Sequence, residues 1–234
     1  MQKLLLLSIG AALALPQTGL ATEVTGAEIG LSYSTLADGN ARDVNKTTLG
    51  GAIELGFGPQ FSVQGDIATR YFDGIDETGK NATAHAIYHL PGDMAVGAFI
   101  GKDWLDGQSV EYTGLETAGA MGQISYEAAF THMDADGTHG NQLGLQANYA
   151  LNPQLDLGGR FDTLHAEGDD MSRLSATAGY RINPGTMLTG ELGFVDGDGM
   201  DAESFVGIGL KATFGATGGV TFGGRGLQEF LPGL

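Results

Sequence analysis

From residue 24 onward, apolar and polar side chains alternate along most of the chain. The stretch 202–214 is the sharpest case. Ser204, Val206, Ile208, Leu210, Ala212 and Phe214 share one face, and Glu203, Phe205, Gly207, Gly209, Lys211 and Thr213 share the other. A period of two places successive side chains on opposite faces of a strand, here one apolar and one small or polar. The same alternation groups Ile29, Leu31 and Tyr33; Leu49, Ile53, Leu55 and Phe57; Leu143, Leu145, Ala147, Tyr149 and Leu151; and Leu174, Ala176, Ala178, Tyr180 and Ile182. Twelve strands are predicted, near 24–36, 45–57, 61–72, 81–90, 94–104, 110–118, 123–133, 141–151, 155–165, 172–182, 186–195 and 202–214. Most run nine to thirteen residues, close to the roughly 9–11 that cross a bilayer at a tilt and longer than the ~5–6 common in globular sheets. The fifth and sixth are irregular. Their apolar phase carries Lys102 and Glu116, which predicts a bulge or a displaced boundary.

The breaks between strands are of two kinds. Outside the first residues and the tail, proline occurs only at positions 59, 91, 153 and 184, each in a tight turn string. Proline has no N–H to give a ladder, so it belongs in such turns. A weaker turn lies at 119–122. Between these turns come six longer loops, near 37–44, 73–80, 105–109, 134–140, 166–172 and 196–201. They hold fourteen of the 28 acidic residues and two bases, Arg42 and Lys80. Short neutral turns at one end and longer acidic loops at the other are the organisation of a transmembrane barrel, with periplasmic turns and extracellular loops.

A soluble β-sandwich is the competing class, and the aromatic residues separate the two. With the strands threaded alternately up and down, Tyr33, Tyr71, Trp104, Tyr112, Phe130, Phe161 and Phe194 fall near the loop ends of outward faces. Phe57, Phe61, Tyr88, Tyr126, Tyr149, Tyr180 and Phe214 fall toward the turn ends. Amphipathic rings prefer the headgroup level, so a lipid-facing barrel needs two such girdles, whereas a sandwich buries its large aromatics mid-strand.

Composition sharpens this picture at the two chain ends. An apolar run over 4–15 follows Lys3 and precedes Gly19, Leu20 and Ala21, which put small residues where a signal peptidase reads. The run is too short to span a bilayer as a helix. The expected organisation is a cleaved signal peptide over 1–21, a barrel over 22–214, and a glycine-rich periplasmic tail over 215–234. Leu227, Phe230 and Leu231 form a small apolar cluster in that tail. It is expected at the periplasmic mouth, free or folded partly into the lumen. No later run reaches eighteen apolar residues, so no transmembrane helix is predicted. The absence of cysteine excludes disulfides and a lipoprotein anchor. A formal net charge of −17 argues against nucleic acid as a partner.

With its signal, its twelve strands and the closing stretch from Val206 to Phe214, the chain resembles a small porin-like outer-membrane β-barrel protein of Gram-negative bacteria. The strand ending in Phe214 is similar to the C-terminal assembly signal of such barrels, although twenty residues follow it here. The resemblance implies an all-β, transmembrane, antiparallel up-and-down barrel of 12 strands in the bacterial outer membrane. It also implies contact with outer-membrane lipids, insertion by the barrel assembly machinery, and passive diffusion of small hydrophilic solutes or ions. General porins fold a long loop into the pore, and no loop here is long enough for that.

The inward phase names the residues expected to line a pore: Lys46, Glu54, Asp66, Arg70, Glu127, Asp156, Arg160, Asp162, Arg173, Arg181, Glu191, Glu203 and Lys211, with Glu28 and Glu111 beside them. Eight-stranded barrels are filled by their side chains and 16–18 strands leave a wide aqueous channel. Twelve strands with small inward residues predict a narrow water-filled pore; pairing of the mixed charges into a plug is the alternative. The excess of acids in lumen and loops predicts a mild preference for cations.

Catalytic readings are thin. His85, His89, His132, His139 and His165 form no recognisable Ser–His–acid set by spacing. The Asp134 and Asp196 loops resemble calcium sites, but Leu145 and Gly207 stand where an EF-hand loop needs its twelfth-position Glu. No catalytic residue, metal or cofactor is therefore assigned. Two other functions compete with the channel. One is a non-conducting structural or adhesive barrel. The other is a membrane-embedded lipid hydrolase, for which no motif is present.

Overall fold

The computed structural model describes residues 22–37 and 45–232; the expected signal peptide and most of the first loop lie outside the described residues. Twelve strands follow one another: β1 (Thr22–Leu36), β2 (Asn45–Phe57), β3 (Phe61–Phe72), β4 (Glu77–Leu90), β5 (Met94–Leu105), β6 (Gln108–Met121), β7 (Ile124–Ala135), β8 (Thr138–Ala150), β9 (Leu155–Ala166), β10 (Asp169–Asn183), β11 (Thr186–Gly197) and β12 (Met200–Phe214). A four-residue helix, α1 (Leu227–Phe230), lies in the tail. Each strand pairs antiparallel with its sequence neighbours, and the sheet closes through β1 and β12, from Ala27 opposite Phe214 to Leu36 opposite Phe205. The expected closed barrel of twelve strands is therefore present. Strands of 12 to 15 residues match the membrane. At ~3.3 Å per residue, twelve residues extend ~40 Å, and a tilt of about 40° reduces this to the ~30 Å of the hydrocarbon core.

The outer face carries the apolar phase. Ile29, Leu31, Leu49, Ile67, Ile100, Leu174, Leu192, Ile208 and Leu210 are all exposed, as a lipid-facing surface requires. The expected girdle residues also face outward, except one. Tyr112 is 2% exposed and points into the lumen, while Leu115 on the same strand is 67% exposed. The phase expected for β6 is thus inverted: Tyr112 and Glu116 are inside, and Glu111 is outside, where it pairs with Lys102 of β5 at 2.9 Å. No bulge accompanies this, because the β5–β6 ladder runs without a register shift. The physical reason lies across the ladder. Gly101 opposes Tyr112, and a Cβ there would lie 2.4 Å from the Tyr112 ring, so the glycine vacates the space that the ring fills. Register shifts occur instead at Val24/Gly26, Arg181/Asn183 and Val195/Gly197.

The acidic end also differs from expectation. Two residues each join β5–β6, β7–β8, β9–β10 and β11–β12, namely Asp106 and Gly107, Asp136 and Gly137, Glu167 and Gly168, Asp198 and Gly199. Both residues of the first three pairs have positive φ, for example 46° and 73° at Asp106 and Gly107. These are the dihedral signs of a type I′ turn, whose twist matches that of the flanking strands. The strands therefore continue through most of the acidic segments, and the asymmetry between the two ends is one of charge more than of length.

Candidate functional site

The lumen is built from the inward phase of all twelve strands and from the tail. After Phe214 the chain turns back into the barrel. Thr217 donates its N–H to the Thr25 carbonyl at 3.0 Å. A Cβ on Gly26 would lie 1.7 Å from the Gly219 carbonyl oxygen, so glycine at 26 lets the two backbones cross. Gln64 then holds Phe222 from both sides, donating to its carbonyl at 2.7 Å and accepting its N–H at 3.1 Å. Further along, Asn81 donates to the Arg225 carbonyl at 3.0 Å, and Asp103 accepts the N–H groups of Leu227 and Gln228 at the start of α1. Near the far end, Arg173 donates to the carbonyls of Glu229 and Phe230, and Lys46 to those of Gln228 and Leu231. The tail thus runs from the turn end of the lumen to its loop end. The expected position at the mouth applies only to its first residues.

Ion pairs accompany this path. His85, fully buried, bridges Asp66 and Glu116 at 2.7 Å each. Arg225 of the tail pairs with Glu116 at 2.7 Å and with Glu127 at 2.6 Å. Glu229 pairs with Arg70 at 2.6 Å and lies 3.9 Å from Arg160. Burial works to raise the Glu229 pKa, but the charges of Arg70, Arg160 and Lys46 outweigh it and hold the carboxyl at about 2. An apolar layer packs toward the loop end. Phe230 packs among Phe99, Tyr112, Met133 and Leu164, with Leu227 and Leu231 against them, and Leu36, Val195 and Phe205 form a second buried group beside Met171.

The tail does not fill the lumen. A cavity of about 810 Å³ runs along the β8–β12 side, from Asp156, Arg181 and Met187 near the turns to Lys46 and Arg173 toward the loops. A second, of about 350 Å³, lies between the tail and the wall at Asp66, Arg70, Asp162 and Glu229. Along the larger cavity, Arg160 pairs with Asp162 and Arg173 with Glu191, both at 2.6 Å. Arg181 pairs with Asp156 and Lys211 with Glu28, both at 3.3 Å.

The candidate residues Lys46, Glu54, Asp66, Arg70, Glu127, Asp156, Arg160, Asp162, Arg173, Arg181, Glu191, Glu203 and Lys211 all occupy inward positions. Glu54, Asp66, Arg70 and Glu127 lie along the path of the tail, Asp156, Arg181, Glu191 and Lys211 border the larger cavity, Lys46, Arg160 and Arg173 do both, and Asp162 borders the smaller cavity. Sequence reasoning missed Asp103 and Glu116 among the inward acids, and Arg225 and Glu229 as their tail-borne company. The signal available was the charge at Glu116, which belongs inside a barrel and fixes the phase of β6.

Ser62 and His89 are in contact among the described residues. Ser62 Oγ lies 2.9 Å from His89 Nε2, but Glu54 approaches the same nitrogen at 3.4 Å. A hydrolytic triad needs the acid on the opposite ring nitrogen, so this set lacks that geometry. Among the described residues no group of three or more His, Asp and Glu has metal-binding geometry.

No curated protein matches the chain. Solved structures that are similar in fold include the KdgM porin in complex with disordered oligogalacturonate, with 12% identity over 80% of this chain and 99% of that one, at a TM-score of 0.60. The NanC porin shows 8% identity over 80% and 98%, at 0.61. An outer membrane channel from Pseudomonas putida F1 shows 10% identity over 84% and 97%, at 0.59. The Gram-negative porin family matches residues 18–200. A closed twelve-stranded barrel with a lipid-facing exterior, a charged lumen and this family match leads to one assignment: the chain belongs to the Gram-negative porins, channels of the outer membrane for small solutes.

Proposed function

We propose that this porin is a narrow diffusion channel for small hydrophilic solutes with a mild preference for cations, and not an enzyme. On this reading it is exported by its signal peptide and inserted by the barrel assembly machinery. The observation that carries it is the polar cavity beside the tail, four of whose five wall cations, Arg160, Arg173, Arg181 and Lys211, face a carboxylate. Paired cations present little net field to a passing ion. The balance of the lumen then favours acids. Of the nine inward acids expected, Glu111 is outside, while Asp103 and Glu116 join the rest, so these ten, with Glu23 and Glu77 on the same face at the two ends, stand against six bases; the tail adds Glu229 and Arg225, one of each. A passage lined by one sign of charge concentrates the opposite ion. The test is a reversal potential across a KCl gradient with purified protein in a planar bilayer. The expected potential is cation-selective at low salt and fades as salt rises, because exposed charges are screened over about 10 Å at 0.1 M. Anion preference at low salt would refute the selectivity.

The apolar cluster around Phe230 supports a second reading, in which the barrel with its tail docked does not conduct. Bilayers that stay silent with wild-type protein would favour it.

A further inference from the structure

The lumen wall holds the tail largely by its main chain. Glu54 accepts the N–H of Thr221 at 2.8 Å, Glu127 that of Gly223 at 3.1 Å, and Asp103 that of Leu227 at 2.7 Å. Gln64 takes both main-chain groups of Phe222, and Arg173 and Lys46 donate to the four carbonyls from Gln228 to Leu231. These wall groups stand on β2, β3, β5, β7 and β10, and all but Glu127 are buried. A buried polar group without a partner is costly, so this side of the lumen is completed by a peptide main chain lying along it. Such bonds are the same for any sequence: they give affinity, and side-chain pockets give specificity. Two pockets follow at a spacing of three. The Phe222 ring is buried with Ile87 and Ala95 and stacks on His85, 6.1 Å between centroids. Arg225 enters between Glu116 and Glu127, at 2.7 and 2.6 Å, and its guanidinium lies 5.5 Å from the centre of the Phe99 ring. Between them stand Gly223 and Gly224, which offer no side chain to read.

We propose that the path of residues 221–231 is a peptide-binding site, and that the solutes it takes are short extended peptides with an aromatic residue followed three places on by arginine. The tail is its built-in occupant, and a peptide in solution enters when the tail is undocked. The inference rests on reading the barrel as a solute channel, and a basic peptide suits the excess of acids in the lumen. A guanidinium bridges two carboxylates and lies over a ring in a way that an ammonium does not, which selects arginine over lysine. The tether holds the tail at an effective concentration of about millimolar. The apparent affinity for a free peptide is therefore the intrinsic one scaled by the undocked fraction.

The experiment is fluorescence anisotropy with the full chain, purified in detergent, and labelled synthetic peptides as probes. The first has the sequence of residues 219–231. The second has the same length and is alanine and serine throughout, except for the Phe and the Arg three places on. The third is the second with Glu in place of Arg. The fourth is the first N-methylated at the position of Phe222, which removes the N–H that Gln64 accepts. Phe230→Ala raises the undocked fraction about a hundredfold and leaves the wall groups in place. The first two peptides should bind this variant up to about a hundredfold tighter than wild type. Glu229→Gln, which weakens the hold of Arg70 on the tail about tenfold, keeps the test open if Phe230→Ala does not fold. The third and fourth peptides should bind about tenfold or more weakly than their parents. Absence of saturable binding to both variants overturns the proposal, as does equal binding of the Arg and Glu peptides. Binding of the tail sequence without the alanine–serine peptide also overturns it, because the site then serves the tail alone. Conductance of the same preparations tests the channel separately. A conducting barrel that binds no peptide refutes the site and leaves the channel standing; silent bilayers with Arg-dependent binding refute the channel and uphold the site.

Discussion

Replacing Phe230 with alanine isolates the hold of the tail on the barrel. Its ring is fully buried among Phe99, Tyr112, Met133 and Leu164. A Phe→Ala change in such a site costs about 3–5 kcal/mol, the lost transfer energy plus the cavity left behind. The β1–β12 ladders do not involve Phe230, so the loss falls on docking of the tail and not on the barrel. At about 1.4 kcal/mol per factor of ten, the lower figure raises the ratio of undocked to docked tail by roughly a hundredfold. Trypsin reads this ratio. Arg225 is followed by Gly226, and that bond is shielded within the lumen while Arg225 pairs with Glu116 and Glu127. When reclosing outpaces cleavage, the rate of cutting follows the open population. Release of the fragment 226–234, followed by mass spectrometry, should therefore be about a hundredfold faster in the variant, with β-sheet circular dichroism unchanged. Cleavage at the wild-type rate in a folded variant would refute the assignment of Phe230 as the anchor.

Two more outcomes follow from the docked tail. A Cβ at Gly97 would lie 2.8 Å from the Phe222 ring and from Glu116 Oε1, so Gly97→Val should expose Arg225 to trypsin although no tail residue has changed; a protected bond would show that Phe222 can move aside. Glu229 is held at about 2 against an ordinary value of about 4.3, so its contribution to docking is fully present above the ordinary value and is lost as pH falls through about 2. Hydrogen exchange of the amides over 226–231 should accordingly stay slow at pH 4, and loss of protection by that pH would contradict the clamp.

The strand period carried most of the fold. Wherever bulky apolar residues recur every second position, as from Leu143 to Leu151, one face is unambiguous and the register follows. β6 failed because its outward phase offers only Leu115, between Thr113 and Thr117, before Met121 at its very end, while its inward phase offers a tyrosine. A ring reads as lipid-facing unless the glycine opposite is known, and Gly101 is a partner only through the ladder. The tight acidic turns were expected as longer loops, although Asp or Glu followed by Gly between alternating segments fits a two-residue hairpin. The position of the tail was not legible. Many of its contacts join residues more than a hundred apart, such as Asp103 with Leu227, and local sequence shows only glycine with scattered charges and rings.

The route of the tail also fixes an order of assembly. Its partners are spread around the barrel: Glu54 on β2, Gln64 on β3, Asn81 on β4, Asp103 on β5, Glu116 on β6, Glu127 on β7 and Arg173 on β10. These groups form one enclosing surface only after β12 has zipped onto β1. The residues that follow β12 then travel farthest, past the crossing at Gly26 to the opposite rim. A chain caught with its seam open has nowhere to keep them, so a tail tucked away from protease marks a molecule whose insertion is finished.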